Sequence, residues 1–329
     1  MQPIKLQTTV PIVLGLLLSL SAKASATDFN LGVADNYNLF ATSGTVDISS
    51  GGGDVTQTYS DTQGAVAAAG NITLTNFSVG ALLPSNYSGP ALVAGGNLTL
   101  DSGYVNGTAY YGGSSSSNSI TAVGSPPGNT SLTPIQGSQI NFATADSDLQ
   151  TLSTSYASET TNGTISAPGN GIITLTGHSN TGTDVFTVTT AQLASATDLV
   201  INADPNATVI INVTGTSATL GIGNGPEGTN AGIGIQINNT SEQNVLYNFY
   251  QATSLQAQGV GIPGTVLAPK AAFTFNNGQA DGNVVVASFD GTGQINDPAL
   301  TTPEPGTLVG LGSVALLSSF CLRRKAKKV

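Results

Sequence analysis

Along most of the chain, apolar residues come in short runs that alternate with Thr or Ser and stop at Gly or Asn. Ile72-Thr73-Leu74-Thr75 and Leu98-Thr99-Leu100 have period two, which turns apolar side chains to one side of a strand and threonines to the other. Each run follows a small-residue strand and a Gly-Asn turn: Val66-Ala67-Ala68-Ala69-Gly70-Asn71 in one case, Leu92-Val93-Ala94-Gly95-Gly96-Asn97 in the other. Asn71 and Asn97 are 26 residues apart, a length that suits one coil of a solenoid in which stacked coils share a core. A third echo runs from Gly264-Thr265-Val266-Leu267-Ala268-Pro269 through Phe273-Thr274-Phe275 to Gly282-Asn283-Val284-Val285-Val286. Glycine and asparagine supply the positive-φ corners such coils need. Further strands are expected at 172–175, 185–188, 199–201 and 209–213, from β-branching and Gly, Asn or Asp boundaries.

One segment has a different period. Phe142, Ala145, Leu149, Leu152 and Tyr156 form one face of a helix over 142–159, while Asp146, Asp148 and several Ser and Thr form the other. Such a helix should lie along the solenoid rather than inside it. Residues 112–127 are rich in Gly, Ser and Pro and read as a mobile loop, and 221–234 as a second glycine-rich loop. The expected fold class is therefore mainly β: a β-solenoid with one long helix packed alongside.

Composition sharpens this. Gly, Ser, Thr and Asn dominate and Trp is absent, which excludes a helical bundle, and the apolar fraction argues against disorder as a whole. A body of about 275 residues is long enough for one elongated domain with a substantial core. Of eight Lys and Arg, only Lys270 lies between residues 27 and 302, against seventeen acidic residues there. Nucleic acid is excluded as a partner on that balance, because neutralising phosphates needs Lys and Arg. The single cysteine, Cys321, leaves no intrachain disulfide, so burial and hydrogen bonding must hold the body.

Both ends read as sorting segments. Lys5, an apolar core over 10–20 and Ala24-Ser25-Ala26 have the order of a secretory signal peptide over residues 1–26, the alternative being a buried helix. At the other end Pro303-Glu304-Pro305 precedes an apolar run over 308–322 and then Arg323, Arg324, Lys325, Lys327 and Lys328. The run would cross a membrane with local thinning, leaving the basic cluster inside and the body outside. Motif, span and basic stop over 303–329 resemble the PEP-CTERM sorting signal, similar in logic to the LPXTG sortase signal. That resemblance implies a membrane exosortase that recognises Pro303, Glu304 and Pro305 and removes the tail; the alternative is an anchor that is never cut.

The body, taken as 27–300, resembles the choice-of-anchor A domain. The residues that carry this are Phe29-Asn30-Leu31-Gly32 through Tyr37-Asn38-Leu39-Phe40, the Val-Ala-Gly-Gly-Asn repeat and Val185-Phe186 with Gln192-Leu193. Val245-Leu246-Tyr247-Asn248-Phe249, Gly264 through Pro269, Asn276-Asn277-Gly278-Gln279 and Asp281-Gly282-Asn283-Val284 complete the set. Lys270, where Asn or Asp is more usual, and a long 221–234 loop are its departures. The resemblance implies an adhesive domain similar in fold to ice-binding β-helices, a discontinuous right-handed β-helix, with no catalytic residues to transfer.

Candidate chemistry is sparse. His178 is the only histidine, and Gly177-His178-Ser179-Asn180 reads as a turn rather than part of a Ser-His-Asp triad. One His and one tail Cys do not build a zinc site. A carboxylate pair for glycoside cleavage is open, but the chain reads as a non-enzyme. Asn224-Gly225-Pro226-Glu227-Gly228 lacks the lysine of a phosphate loop. No cofactor is expected. Calcium on Asp281-Gly282-Asn283 or Asp290-Gly291-Thr292-Gly293 is the one exception, with plain turn formation as the alternative. The Asn-x-Ser/Thr triplets at Asn71, Asn76, Asn97, Asn106, Asn206 and Asn212 read as corner asparagines followed by outward hydroxyls rather than glycosylation acceptors. The function expected is an exported, exosortase-processed surface or matrix protein that adheres to exopolysaccharide or cell surfaces. The alternative is ice binding through a threonine-rich face.

Overall fold

Period-two alternation becomes parallel strands stacked in register, three to a coil. The computed structural model describes residues 29–43, 52–123, 130–166, 171–178, 182–220 and 233–296. Three faces result. On the first, ten strand segments stack in the order Ile135–Gln136, Thr108–Tyr111, Pro90–Ala94, Val66–Ala68, Leu39–Ala41, Val284–Gly291, Thr265–Asn276, Val245–Asn248, Ala207–Thr214 and Gly182–Thr189. Val284–Gly291 and Thr265–Asn276 turn a corner and serve the second face as well, with a register shift between Ala268 and Ala272.

That order shows the solenoid to be discontinuous. Leu39–Ala41 sits between strands from opposite ends of the chain, Val66–Ala68 on one side and Val284–Gly291 on the other. The described chain enters in mid-stack and coils outward to Ile135–Gln136. It then crosses to the far end at Gly182–Thr189 and coils back.

The crossing contains the helix α1, Phe142–Ala157, two residues shorter than its periodicity predicts, with the Asn141 side chain accepting from the Thr144 amide at its start. α1 lies on the first face. Outward residues there are apolar near the middle of the stack, and Phe40, Ala67, Val93, Leu267 and Val285 pack with Ala145 and Leu149. Further along they are amides. Asn248 donates to the Ser153 carbonyl and to Asn212 Oδ1, both at 2.8 Å, and Asn212 donates to the Tyr156 carbonyl at 2.8 Å. Inward files such as Leu92, Val66, Leu39, Val284, Val266, Tyr247, Ile211 and Phe186 form the main core.

The expected coil length needs correction. Successive corner residues Asp54 and Asn71 are 17 apart, as are Asn97 and Ser114; the 26 residues from Asn71 to Asn97 include an inserted loop over 80–89. The loop expected over 112–127 is also overturned over 115–123, while 124–127 lie outside the described residues. Ser115–Val123 is a strand paired along Leu98–Asn106, because the preceding coil templates the backbone of even a serine run. The loop at 221–234 lies mostly outside the described residues. At the far end a short helix, α2 (Thr190–Ser195), replaces the second-face strand, held by reciprocal capping between Thr189 and Gln192.

Candidate binding face

Inward positions of the second face are apolar: Leu98, Ile72, Val55, Phe289, Phe273, Leu255 and Ala218 share one buried file. One residue on, the outward file reads Ser116, Thr99, Thr73, Thr56, Asp290, Thr274, Gln256 and Thr219. Thr99 and Thr274 are exposed, and Thr73 and Thr56 half-buried. Neighbouring rungs stand about 4.8 Å apart in a sheet, so these eight side chains form a regular row. Two residues on, a second outward file holds Asn118, Asp101, Thr75 and Thr58 from one half of the chain, and Asn276 and Gln258 from the other. Its members bond along the stack, Asn118 Nδ2 to Asp101 Oδ1 at 2.8 Å for example.

Ladders of polar side chains tie the rungs of this face together. At the entry corner, Asp54 Oδ1 accepts from the Asn71 amide at 2.7 Å, Asn71 Oδ1 from the Asn97 amide at 2.8 Å, and Asn97 Oδ1 from the Ser114 amide at 2.9 Å. The preceding glycines are required by close approach, since a Cβ on Gly95 would run into the Ala69 carbonyl. At the exit corner Ser119, Ser102, Asn76, Tyr59, Asn277 and Gly259 all have φ between 50° and 62°. The sequence pattern indicates outward threonines at 73 and 99. It could not show that residues from opposite ends, Thr56 and Asp290, stand side by side.

The other candidate residues are not brought together. His178 is exposed, and its backbone amide donates to Oδ1 of the buried Asp184 at 2.9 Å. Ser179 and the sorting residues Pro303, Glu304 and Pro305 lie outside the described residues, as do both expected sorting segments. Among the described residues no helix is long and apolar enough to cross a membrane, and no group of three or more His, Cys, Asp or Glu is placed to hold a metal. Asp281 accepts from Asn296 Nδ2 at 2.6 Å and from Gln279. Partial burial first, and the charge of Asp281 second, raise the Glu242 carboxyl above its ordinary range. Among the Asn-x-Ser/Thr asparagines named above, Asn71 and Asn97 cap the next rung while Asn106 and Asn212 are buried donors; Asn76 and Asn206 are exposed. Lys270 stands in an open groove with Asp146, Gln150 and Thr154 of α1.

Residues 30–297 match the ice-binding-like adhesive domain family. No curated protein matches the chain. Among solved structures, the chain is similar to an ice-binding protein from the Antarctic ascomycete Antarctomyces psychrotrophicus, at 12% identity and a TM-score of 0.42, covering 82% of this chain and 98% of that one. It is also similar to an ice-binding protein from an Antarctic biological consortium, at 16% identity and a TM-score of 0.34, covering 90% and 94%. A domain of Shewanella frigidimarina ice-binding protein matches at 12% identity and a TM-score of 0.33, covering 81% and 94%.

Proposed function

The chain belongs to the ice-binding-like adhesive domain family, and we propose that it is an exported surface or extracellular-matrix protein that adheres through its second face. The observation that carries this is the row of eight outward polar side chains, in register, with no helix among the described residues laid over it, whereas the first face is covered by α1. A long, in-register array of hydroxyls, amides and carboxylates suits hydrogen bonding to the hydroxyls of extracellular polysaccharide or a cell surface. Each contact is weak, and many displayed copies add by avidity. The reading includes secretion through residues 1–26 and transient membrane anchoring by the 303–329 tail. An exosortase would then cleave after recognising Pro303, Glu304 and Pro305. It also takes the winding as right-handed, the sense strongly favoured for parallel crossovers. It needs no catalytic residue and no cofactor. Calcium on Asp281 or Asp290 would be an addition, seen as a melting temperature that falls in chelator.

A second reading, ice binding, is favoured by the five threonines of the first outward file. Asp290 and Gln256 interrupt that file, and the second file is mostly amide and carboxylate, which suits glycans better than an ordered water lattice. Co-sedimentation of the protein with host exopolysaccharide and with cells, set beside thermal hysteresis, separates the two. Adhesion without hysteresis, reduced by Thr73→Tyr and Thr99→Tyr but untouched by His178→Ala, is expected. Hysteresis without adhesion would replace the first reading by the second.

A further inference from the structure

Five of the six stacked left-handed corners between the second and third faces carry Ser, Asn or Gly, residues whose short side chains tolerate that backbone. The sixth is Tyr59, with φ 52° and its side chain 78% exposed. A bulky residue is disfavoured in this region, and a ring so exposed returns almost no burial to the fold. The Tyr59 amide keeps the ordinary rung bond to the Thr75 carbonyl, a bond that asparagine would make equally well. Nothing in the packing calls for an aromatic ring there.

A second tyrosine stands on the same side. On the third face, formed here by Asp61–Thr62 and the ends of Ile72–Val79 and Leu98–Asn106, Asp61, Ser78 and Tyr104 share one outward file on consecutive rungs, and Tyr104 is half-buried. Two rungs and two residues separate Tyr59 from Tyr104, about 11 Å from backbone to backbone at sheet spacings. Between them lie Asp61 and Asn76, both exposed, and Ser78, half-buried. Two aromatic platforms with acceptors and donors between them match a short oligosaccharide, whose ring C–H faces stack on aromatic rings while its hydroxyls bond to side chains. Seventeen acids against one lysine over residues 27–302 would repel a polyanion. We propose that Tyr59 and Tyr104, with Asp61, Asn76 and Ser78, form a subsite for a neutral β-linked glycan at the corner of the second and third faces. This rests on the adhesive reading and gives it a ligand class.

The test titrates the full-length protein with the neutral hexasaccharides cellohexaose and chitohexaose. Tyrosine fluorescence reports directly, since the chain has no tryptophan. A saturable change is expected with one of them, weakened about tenfold by Tyr59→Asn, the loss of roughly one stacking contact. Tyr104→Ser should weaken it as well, and Tyr59→Asn should melt no lower than wild type. Equal binding by wild type and Tyr59→Asn, or no binding of either sugar, overturns the subsite. So does a lowered melting temperature in Tyr59→Asn, which would make the ring structural. Co-sedimentation of wild type with exopolysaccharide and cells is read in parallel. If it persists in those cases the adhesive reading stands without the subsite, and if it is absent that reading fails.

Discussion

At the scale of single residues, the alternation along Ile72-Thr73-Leu74-Thr75 makes opposite demands on neighbours. Leu74 is fully buried between Gln57 and Leu100, whereas Thr73 stands half-buried in the outward row. Leu74→Ala should therefore lower unfolding free energy by about 2–5 kcal/mol in denaturant melts, from lost burial and the cavity left behind. Thr73→Ser should change it by less than about 0.5 kcal/mol. Glu242 allows a prediction in pH. Its carboxyl is raised by partial burial and by Asp281, so ionisation opposes folding. The stability tied to its protonated form is complete below the ordinary carboxylate range and is lost as pH rises through the elevated value. Glu242→Gln should accordingly raise the melting temperature at pH 7 and leave it unchanged well below pH 4; an equal rise at both would exclude this cause.

At the scale of elements, α1 is fastened as much by amides as by apolar contact. Asn248 exchanges two bonds with Ser153, one at 2.5 Å from the Ser153 hydroxyl, and a third ties it to Asn212. Asn248→Ala would strand the buried Asn212 Oδ1 and the Ser153 carbonyl, at a cost of about 2–4 kcal/mol. Amide exchange along 142–157 should speed up more than exchange in Ile72–Val79. The helix and many of the longer strands were legible in the sequence, because 3.6-residue and two-residue periods are properties of neighbouring positions. Coil length was not legible, because the loop over 80–89 lengthens the one coil that repeats most clearly. Ser115–Val123 escaped for a related reason: its strand conformation comes from Leu98–Asn106 beside it rather than from serine's own preference. The binding row was half legible. Outward threonines follow from alternation, but their neighbours across the seam are set by stacking, and Tyr59 shows only in its φ value.

For the whole molecule, the proposed sorting segments make a prediction in mass. Protein recovered from outside the native host should lack both residues 1–26 and the basic terminus, and intact-mass measurement that finds the 323–328 segment would refute processing. The seam at mid-stack bears on how such a molecule is held. Asn38 donates to the Asn296 carbonyl across 258 positions of sequence, so the start and the end of the described body meet at the same level of the stack. They meet where the third face turns into the first, the edge of a three-sided column that lies across from the second face. A tether running on from Asn296 would grip the column at its waist, as a crossbar is held by its post. Both tips would swing free and the threonine row would look away from the cell. With such a tether the interposed strand Leu39–Ala41 would set an orientation, and moving the attachment to either tip by circular permutation should turn that row sideways and weaken capture of anything approaching from outside.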